Sequence, residues 1–434
     1  MPRGRTAATN ERPWRDNGLL SRTDMLNVNF IYYVIAEVVI TLASSMLSVA
    51  VGWHIYQATG NPFDLALVGL MQILPIIGLF IPAGWVVDNF SRKRILVVCT
   101  LLQGVVYLGL AFTLEGETID RTATFGLLLL NGVARVFFSP AMQSILPKIV
   151  KSEYLPRAVA ISSTAWTASG TAGPFFAGLL IAWIDTDVYQ ALGLLAVVAS
   201  GFFMALPAIP VVKSASRGVK QLLDGIHYVI TNPFVLPSIS LDLFIVLLGS
   251  VVALLPVYAV DILDVGPEAL GLLRAMPALG AVIAGVLMAR IATLRHSGRQ
   301  LFASLFVFAI SILVFAVSQH FWLSLLALLV YGASDMVSVN IRTTLIQLAT
   351  PDDLRGRVSS VNFLFIHTSN DLGDFRAGAA ATFWGPVTTV LVGGVTALGV
   401  CLGGYLLFPR LRRLDRMTEA QCEERRDDEG PARA

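Results

Sequence analysis

The fold is decided by one stretch, Gly84-Trp-Val-Val-Asp88-Asn-Phe-Ser-Arg92-Lys93-Arg94-Ile-Leu96, which joins two long apolar runs. A short loop that carries three cations between two membrane-spanning helices is expected on the cytoplasmic side. Glycine lets neighbouring helices approach closely, and an aspartate at a helix end can hold a helix N-terminus or a loop arginine. The stretch therefore predicts a polytopic membrane protein. Its candidate functional residues are Gly84, Asp88, Arg92, Lys93 and Arg94, and the alternative is a charged loop that only sets the topology.

The composition is that of a membrane protein. The chain has 434 residues, of which 55% are hydrophobic and only 14% are charged, whereas soluble domains are about a quarter charged. Its net charge is only +2, and its cations gather in particular loops, which argues against a nucleic-acid surface. Cys99, Cys401 and Cys422 lie far apart, so neither a disulfide framework nor a metal site is indicated.

Runs of about 20 apolar residues predict twelve membrane-spanning helices. The loops between these runs sort by charge. Alternate loops carry cations, such as Arg355 and Arg357, and the others carry acids, such as Asp185 and Asp261. The cationic side is expected to be cytoplasmic, together with both termini, in a bacterial inner membrane. The predicted spans lie near residues 28–56, 64–88, 94–113, 123–146, 156–183, 188–208, 234–259, 267–292, 300–318, 321–348, 358–383 and 386–408.

The chain also repeats itself with an offset of about 200 residues, which predicts two six-helix halves. Tyr56, Gly69, Leu70, Pro75 and Gly78 recur as Tyr258, Gly271, Leu272, Pro277 and Gly280. We therefore expect a cytoplasmic N-terminal tail over 1–27, a first bundle over 28–209, a cytoplasmic linker over 210–233, a second bundle over 234–408 and a cytoplasmic C-terminal tail over 409–434. An amphipathic piece around Val219–Ile230 is interpreted as a surface helix within the linker.

Ionisable side chains inside the apolar runs are candidates for function, because burying a charge in a membrane is costly. Glu37 is followed by Thr41, Ser44, Ser48 and Gly52 on one helical face. Arg135 and Asp335 occupy equivalent repeat positions, so they are expected to face each other. The pair is either a static ion pair or a gate or proton-linked pair that breaks during a conformational cycle. The candidates are Glu37, Arg135, Asp242, Asp335, Arg342, His367, Asp371 and Asp374.

Span 11 is the most polar of the predicted spans. Asp371 and Asp374 are three residues apart and share a face with His367. Two neighbouring carboxylates in a low dielectric do not both stay charged at low cost, which suits a proton carrier. The alternative is that Arg376 neutralises them structurally. A lone helix histidine is more often hydrogen-bonded than functional, and with five histidines and no cluster a metal transporter is disfavoured.

Span 5 contains Gly170-Thr-Ala-Gly173-Pro174-Phe-Phe-Ala177-Gly178, whose small residues allow close packing and whose proline bends the helix. With this motif, the stretch 84–96 and the segments 49–56, 138–141 and 352–359, the chain resembles the major facilitator superfamily. Within it the chain is similar to the branch that contains the bacterial enterobactin exporter. The resemblance implies an all-α membrane protein of twelve transmembrane helices in two pseudo-symmetric six-helix bundles. It also implies a central cavity lined by spans 1, 4, 7 and 10, and a latch at 84–96. The span 5 motif is a partial match to that of proton-antiport exporters in the superfamily, and ordinary helix packing is the alternative.

The main functional hypothesis is a secondary active transporter that works by alternating access. It would export a small amphiphilic molecule, a siderophore or a drug-like toxic compound, against protons. An acid at Glu37 would suit a cationic or proton-coupled substrate better than an anionic catecholate. The alternatives are proton-symport uptake of a small metabolite and a non-transporting receptor or scaffold. No phosphate-binding loop, metal cluster or nucleophilic triad indicates an enzyme. The expected partners are the substrate, protons and the bilayer, without a cofactor or nucleic acid, and a monomer is expected.

Overall fold

The computed structural model describes residues 27–114, 120–207, 226–290, 296–351 and 354–414. These residues are helical apart from short connections and contain no strand, so the all-α prediction is confirmed. Most of the predicted tails and most of the predicted linker lie outside the described residues, although 226–231 and 409–413 are helical. The helices are α1 (Val28–Thr59), α2 (Pro62–Asn89), α3 (Arg92–Thr113), α4 (Arg121–Ile149), α5 (Leu155–Ile184), α6 (Val188–Ala205), α7 (Val235–Gly249), α8 (Pro267–Ala289), α9 (Ser297–Val317), α10 (Phe321–Leu348), α11 (Arg355–Trp384), α12 (Pro386–Leu407) and the short α13 (Pro409–Arg413).

The helices begin and end close to the predicted spans, with the exception of α7. Ten candidate membrane spans qualify by length and composition among the described residues. One of them, residues 155–205, covers both α5 and α6, and α11 does not qualify because its sequence is the most polar of the twelve. The expected twelve spans are thus present as α1 to α12. The predicted span 7 is confirmed as the candidate span Val235–Ile262, although the regular helix α7 within it ends at Gly249.

Turn and cap residues explain where several helices start. Asn27 accepts a hydrogen bond from the Asn29 backbone N–H, and Asn61 accepts one of 3.0 Å from the Phe63 N–H. Asp120 caps α4 in the same way through the Ala123 N–H, at 3.1 Å. These side chains satisfy N–H groups that have no partner within the helix. Between α1 and α2, Gly60 adopts φ 58°, a conformation that costs glycine little.

The six helices of each half pack in the same pattern. In the first half α1 packs on α5 and α6, α2 on α4, and α3 on α4 and α6. The second half repeats these pairs, because α7 packs on α11 and α12, α8 on α10, and α9 on α10 and α12. The halves meet through α5 with α8 and through α2 with α11. These two contacts are also equivalent under the repeat, so the molecule consists of two pseudo-symmetric six-helix bundles.

Glycine residues allow the helices of the two halves to touch at the backbone. A Cβ added at Gly178 of α5 would lie 2.9 Å from Cα of Gly271 in α8. At Gly378 of α11 it would lie 3.0 Å from Cα of Ala66 in α2. Gly173 faces α1 instead, where a Cβ would lie 3.2 Å from the carbonyl oxygen of Leu42. The motif of span 5 therefore packs on two partners, α1 through Gly170 and Gly173 and α8 through Gly178 beside Pro174.

The close crossings lie at one end of the molecule. We call the end at which residues 59–62 and 184–188 connect helices the acidic end, and the end at which residues 89–92 and 149–155 connect helices the basic end. Gly178 lies near the end of α5 and Ala66 near the start of α2, so both crossings belong to the acidic side. Toward the basic end, a Cβ at Gly84 would meet nothing within 4 Å among the described residues. The halves are therefore closed against each other at the acidic end.

Candidate functional site

The most polar site lies where the helix α7 is interrupted. After Gly249 the backbone of Ser250 is extended, and helical turns resume over Val252–Ile262, ending in a π-helical turn at Tyr258–Ile262. Such a break leaves carbonyl groups without partners inside the helix, and a membrane offers no water to replace them. Arg376 of α11 supplies the donors. Its Nε donates to the carbonyl of Leu247 at 2.8 Å and its Nη2 to that of Leu248 at 2.7 Å.

Asp374 of α11 holds the other side of the break. Its carboxylate accepts a hydrogen bond from the Ser250 hydroxyl. The backbone N–H of Ala253, at the start of the resumed turns, also donates to it. Asp374 and Arg376 together therefore fix the two chain ends of the break. Sequence reasoning named Asp374 as a coupling candidate and Arg376 as its neutralising partner. In the structure, Arg376 donates its hydrogen bonds to the carbonyls of α7.

Arg274 of α8 is a residue of this site that sequence reasoning missed. Its Nη1 donates to the Ser48 hydroxyl of α1 at 2.8 Å, across the boundary between the halves. Its Nη2 lies 3.4 Å from the carbonyl of Val252, and its charge interacts with that of Asp374. The Nε of Arg274 is buried without a hydrogen-bond partner among the described residues. An arginine well inside the predicted span 267–292, whose other arginine, Arg290, lies near its end, was the signal that could have found it.

A second hydrogen bond crosses between the halves. The hydroxyl of Tyr56, near the end of α1, donates to the carboxylate of Asp261 in the π-helical turn. Within the described parts of the chain, this bond and the one between Ser48 and Arg274 are the side-chain hydrogen bonds that join the two halves. Both lie on the side where the backbone crossings are close. Polar contacts thus reinforce the closure at the acidic end.

Asp371 lies one turn before Asp374, at the contact of α11 with α2. A Cβ at Gly69 of α2 would lie 3.6 Å from the carbonyl oxygen of Asp371. Nearby, Arg135 of α4 donates from Nη1 to the amide oxygen of Gln72 at 2.6 Å. The charge of Arg135 acts on Asp371 from the other half. The boundary between the halves therefore carries two carboxylates of the second half, of which Asp371 interacts with Arg135 of the first half and Asp374 lies beside Gly69.

A buried ion pair joins α7 to α10 within the second half. Nη1 of Arg342 lies 2.6 Å from Oδ2 of Asp242, and the two side chains are 5% and 10% exposed. Asp335 interacts with both of these charges. The expected approach of Arg135 and Asp335 is not found in this structure, where the two residues form no ion pair with each other. The physical reason is that Arg342, two turns along the same helix face, supplies a nearer counter-charge to Asp335.

Glu37 packs between α1 and α5 instead of lying open on the cavity side of α1. Its carboxylate accepts a 2.7 Å hydrogen bond from the Ser162 hydroxyl of α5, and the residue is 7% exposed. Ser48, which was expected on the same face, is exposed and carries the contact with Arg274. His367 lies on α11, but its side chain is outside the described residues.

The stretch that decides the fold connects α2 to α3 at the basic end. Nε of Arg92 donates to the Ser144 hydroxyl of α4 at 3.1 Å, and Nζ of Lys93 to the carbonyl of Leu206 at 2.5 Å. Both cations thus bind helices of their own half. Among the described residues, Asp88 and Arg94 have no side-chain hydrogen bond or ion pair. The latch between the halves is not formed in this conformation and stays a prediction for another one.

Two pseudo-symmetric bundles with charged residues buried at their boundary define a class of membrane transporter. The chain belongs to the major facilitator superfamily, and residues 24–428 match its family of transmembrane secretion effectors. It is similar to the enterobactin exporter EntS of Citrobacter koseri, with 24% identity over 387 residues that cover 87% of this chain and 91% of the relative.

Solved structures of transporters share the fold. The nucleoside transporter NupG superimposes with a TM-score of 0.71 at 12% identity, over 88% of this chain and 99% of that one. A bacterial homolog of the human lysosomal transporter Spinster, inward-facing and occupied, gives 0.70 at 12% identity, over 90% and 98% of the two chains. The relatives and neighbours are transporters, so the chain is a multi-pass membrane transporter and not an enzyme.

Proposed function

We propose that the chain exports a small amphiphilic molecule across the bacterial inner membrane in exchange for protons. The observation that carries the proposal is the position of Asp371 and Asp374 at the boundary between the halves. Alternating access changes the contacts at this boundary, so a carboxylate placed there meets different partners in the two states. A group whose proton affinity differs between two states couples proton flow to the change of state.

A siderophore or a drug-like toxic compound is the substrate class of the proposal. The similarity to enterobactin exporters extends over 93% of this chain in the match to the Escherichia coli O81 relative. Export of an amphiphile also agrees with a boundary that contains both arginine and aspartate side chains, Arg135 and Arg274 beside Asp371 and Asp374. Such a surface offers counter-charges for polar groups of either sign.

The proposed orientation places the basic end and both termini in the cytoplasm. The structure would then represent the state that is closed to the outside. In the opposite state the stretch 84–96 would close the basic end, with Asp88 and Arg94 becoming partners of groups in the other half. Both halves of the pathway belong to one chain, so we propose that the transporter works as a monomer.

Transport by purified protein in liposomes tests the proposal. The probes are a catecholate siderophore and a lipophilic cationic dye, each with and without an imposed pH gradient. We expect movement of at least one probe toward the acid side of the membrane, and loss of this movement when the gradient is collapsed. Movement of the probe together with protons would instead establish symport uptake. A protein that binds the probes without moving them would be a receptor, and either result would overturn the proposal.

A further inference from the structure

The turns after the break in α7 form a separate segment, residues 252–262, which we call the outer segment of α7. The segment starts two residues after the extended backbone of Ser250 and ends at the acidic end of the molecule. Because the break interrupts the helical hydrogen bonds, α7 alone does not fix the position of this segment. Its position depends on the packing of its buried residues, on the hydrogen bond of Tyr258 to Ala316 and on the side chains that bind its two ends.

Both cross-half hydrogen bonds depend on the outer segment. At its far end, Asp261 accepts the hydrogen bond from Tyr56 of the first half. At its near end, the carbonyl of Val252 lies beside Arg274, which donates to Ser48 of the first half. A displacement of the outer segment therefore weakens both polar contacts that reinforce closure at the acidic end.

Asp374 fixes the near end of the outer segment. It accepts hydrogen bonds from the Ser250 hydroxyl and from the Ala253 backbone N–H, on either side of residues 251 and 252. Two donors that point at one carboxyl group stabilise its ionised form, because a protonated carboxyl has less capacity to accept. The ionised form of Asp374 and the ordered position of the outer segment therefore support each other.

The charged and titratable groups around Asp374 come from several helices. Arg274 of α8 and Arg376 of α11 both favour its negative charge, and Arg376 is also held by the carbonyls of Leu247 and Leu248. Asp371 of α11 disfavours the negative charge of Asp374, since the two carboxylates repel each other. Tyr331 of α10 faces it as a neutral hydroxyl, and α2 presents Gly69 without a charge. Ser250 of α7 is its hydrogen-bond donor.

We propose that Asp374 is the proton site that controls closure at the acidic end, by holding or releasing the outer segment of α7. This inference rests on the proposed proton-coupled export and names one residue that carries a coupled proton. A proton that binds the carboxylate of Asp374 removes the charge that holds Ser250 and Ala253. The outer segment is then released, and the contacts of Tyr56 and Arg274 with the first half are weakened.

Thermodynamic linkage determines how opening at the acidic end changes proton binding by Asp374. If proton binding favours opening at the acidic end, opening at that end must favour proton binding by the same factor. The carboxylate then takes up a proton while the acidic end is open and releases it when the outer segment returns. In the proposed orientation the proton enters from the outside and leaves toward the cytoplasm. This is the order of events that export in exchange for protons requires.

The test follows the distance between the halves without any substrate. Spin labels are placed on cysteines at Ala58 of α1 and Gln319 between α9 and α10, two exposed positions at the acidic end. The full-length protein, without its native cysteines, is studied in lipid nanodiscs over a range of pH. We expect the label distance to increase as the pH falls. Asp374→Asn should show the longer distance at every pH, whereas Asp371→Asn removes a repelling charge and should keep a pH response with its midpoint at a lower pH.

A second variant covers the case in which Asp374→Asn does not fold. Ser250→Ala removes one donor from the carboxylate, so the midpoint of the pH response should rise by about one pH unit. The inference is overturned if Asp374→Asn keeps the wild-type pH response, if Ser250→Ala leaves the midpoint unchanged, or if the wild-type distance does not depend on pH. Because the distance is measured without substrate, these results are independent of whether the liposome experiment finds export.

Discussion

Tyr56 of the first half and Asp261 of the second half are joined by a hydrogen bond at the acidic end of the molecule. They are 205 residues apart in the sequence. Tyr56 is also the repeat equivalent of Tyr258, which lies in the same π-helical turn as Asp261. Tyr258, however, donates to the carbonyl of Ala316 inside its own half, at 3.2 Å. The two equivalent tyrosines thus make different hydrogen bonds: Tyr56 joins the two halves, and Tyr258 joins two elements of one half.

Replacing Tyr56 with phenylalanine should favour opening at the acidic end. The substitution keeps the aromatic ring but removes the donor to Asp261. A hydrogen bond to a charged acceptor contributes about 1.5–3 kcal/mol, so the open population should increase by about tenfold or more. The label distance between positions 58 and 319 measures this population. Tyr33→Phe, which removes a hydrogen bond to the carbonyl of Met142 within the first half, is the control and should leave the distance unchanged. An unchanged distance in Tyr56→Phe would show that the backbone crossings alone determine closure.

Removing one partner of the buried pair between Arg342 and Asp242 should destabilise the protein. Arg342→Gln leaves Asp242 as an unpaired charge, at a cost of about 3–5 kcal/mol. Adding Asp242→Asn should restore much of the loss. Thermal unfolding in detergent, followed by the fraction of monodisperse protein, measures both effects. No comparable rescue of Arg135→Gln by Asp335→Asn is expected, because those two residues form no ion pair in this structure.

Alanine at Gly271 should separate α5 from α8. The added Cβ would lie 2.7 Å from the carbonyl oxygen of Pro174 and 2.9 Å from Cα of Gly178, and backbone atoms cannot rotate away. Overpacking of this kind costs about 1–3 kcal/mol. We expect a lower unfolding temperature and a longer label distance at the acidic end. Gly201→Ala in α6 is the control, since a Cβ there meets nothing within 4 Å of the described structure.

Asparagine at Asp88 should impair transport without affecting folding. In this conformation Asp88 has no hydrogen bond or ion pair among the described residues, so its neutralisation removes no stabilising contact. If Asp88 closes the basic end in the opposite state, the loss should lower the transport rate by roughly tenfold or more. Transport in liposomes and the amount of protein in the membrane are measured together. A fully active Asp88→Asn protein would leave the stretch 84–96 with a topological role alone.

Glutamine at Glu37 should give a stable protein with altered proton coupling. The amide oxygen of glutamine accepts the hydrogen bond of Ser162 as the carboxylate does, so the contact between α1 and α5 is kept. A side chain that cannot be ionised, however, cannot exchange a proton. We expect downhill exchange of substrate to continue while accumulation driven by a pH gradient is lost. A wild-type response to the gradient would assign Glu37 a purely structural role.

The helices could be predicted from the sequence because the membrane imposes a simple rule on them. A span must be about 20 residues long and apolar, and its loops must contain the charges. Helix α10, for example, covers the predicted residues 321–348. The two halves could be predicted as well, because the repeat preserves glycine and proline positions such as Gly69 and Gly271. These residues serve close packing, which both halves need in the same places.

The site could be predicted only in part, because the hydrogen-bond and ion-pair partners of a side chain depend on distances between helices. Span 7 is largely apolar over 243–257, and the signals of a break in this run are Gly249-Ser250 and Pro256, which the sequence analysis did not use. The break depends on Asp374 and Arg376, which lie more than 120 residues further along the chain. The repeat suggested a pair of Arg135 and Asp335, since it relates helices by symmetry. It contains no information on Arg342, a nearer charge that has no equivalent in the first half.

The break in α7 also has a consequence for the synthesis of the protein. The segment 235–262 is the most apolar candidate span of the chain, so it can enter the bilayer as one uninterrupted helix. The side chains that form hydrogen bonds at the break in α7 belong to α11. The ribosome adds one of them, Arg376, 129 residues after Leu247. We expect α7 to be inserted straight and to acquire its interruption only when α11 docks on it late in biogenesis. Truncated nascent chains that end before α11 would therefore contain a continuous seventh helix.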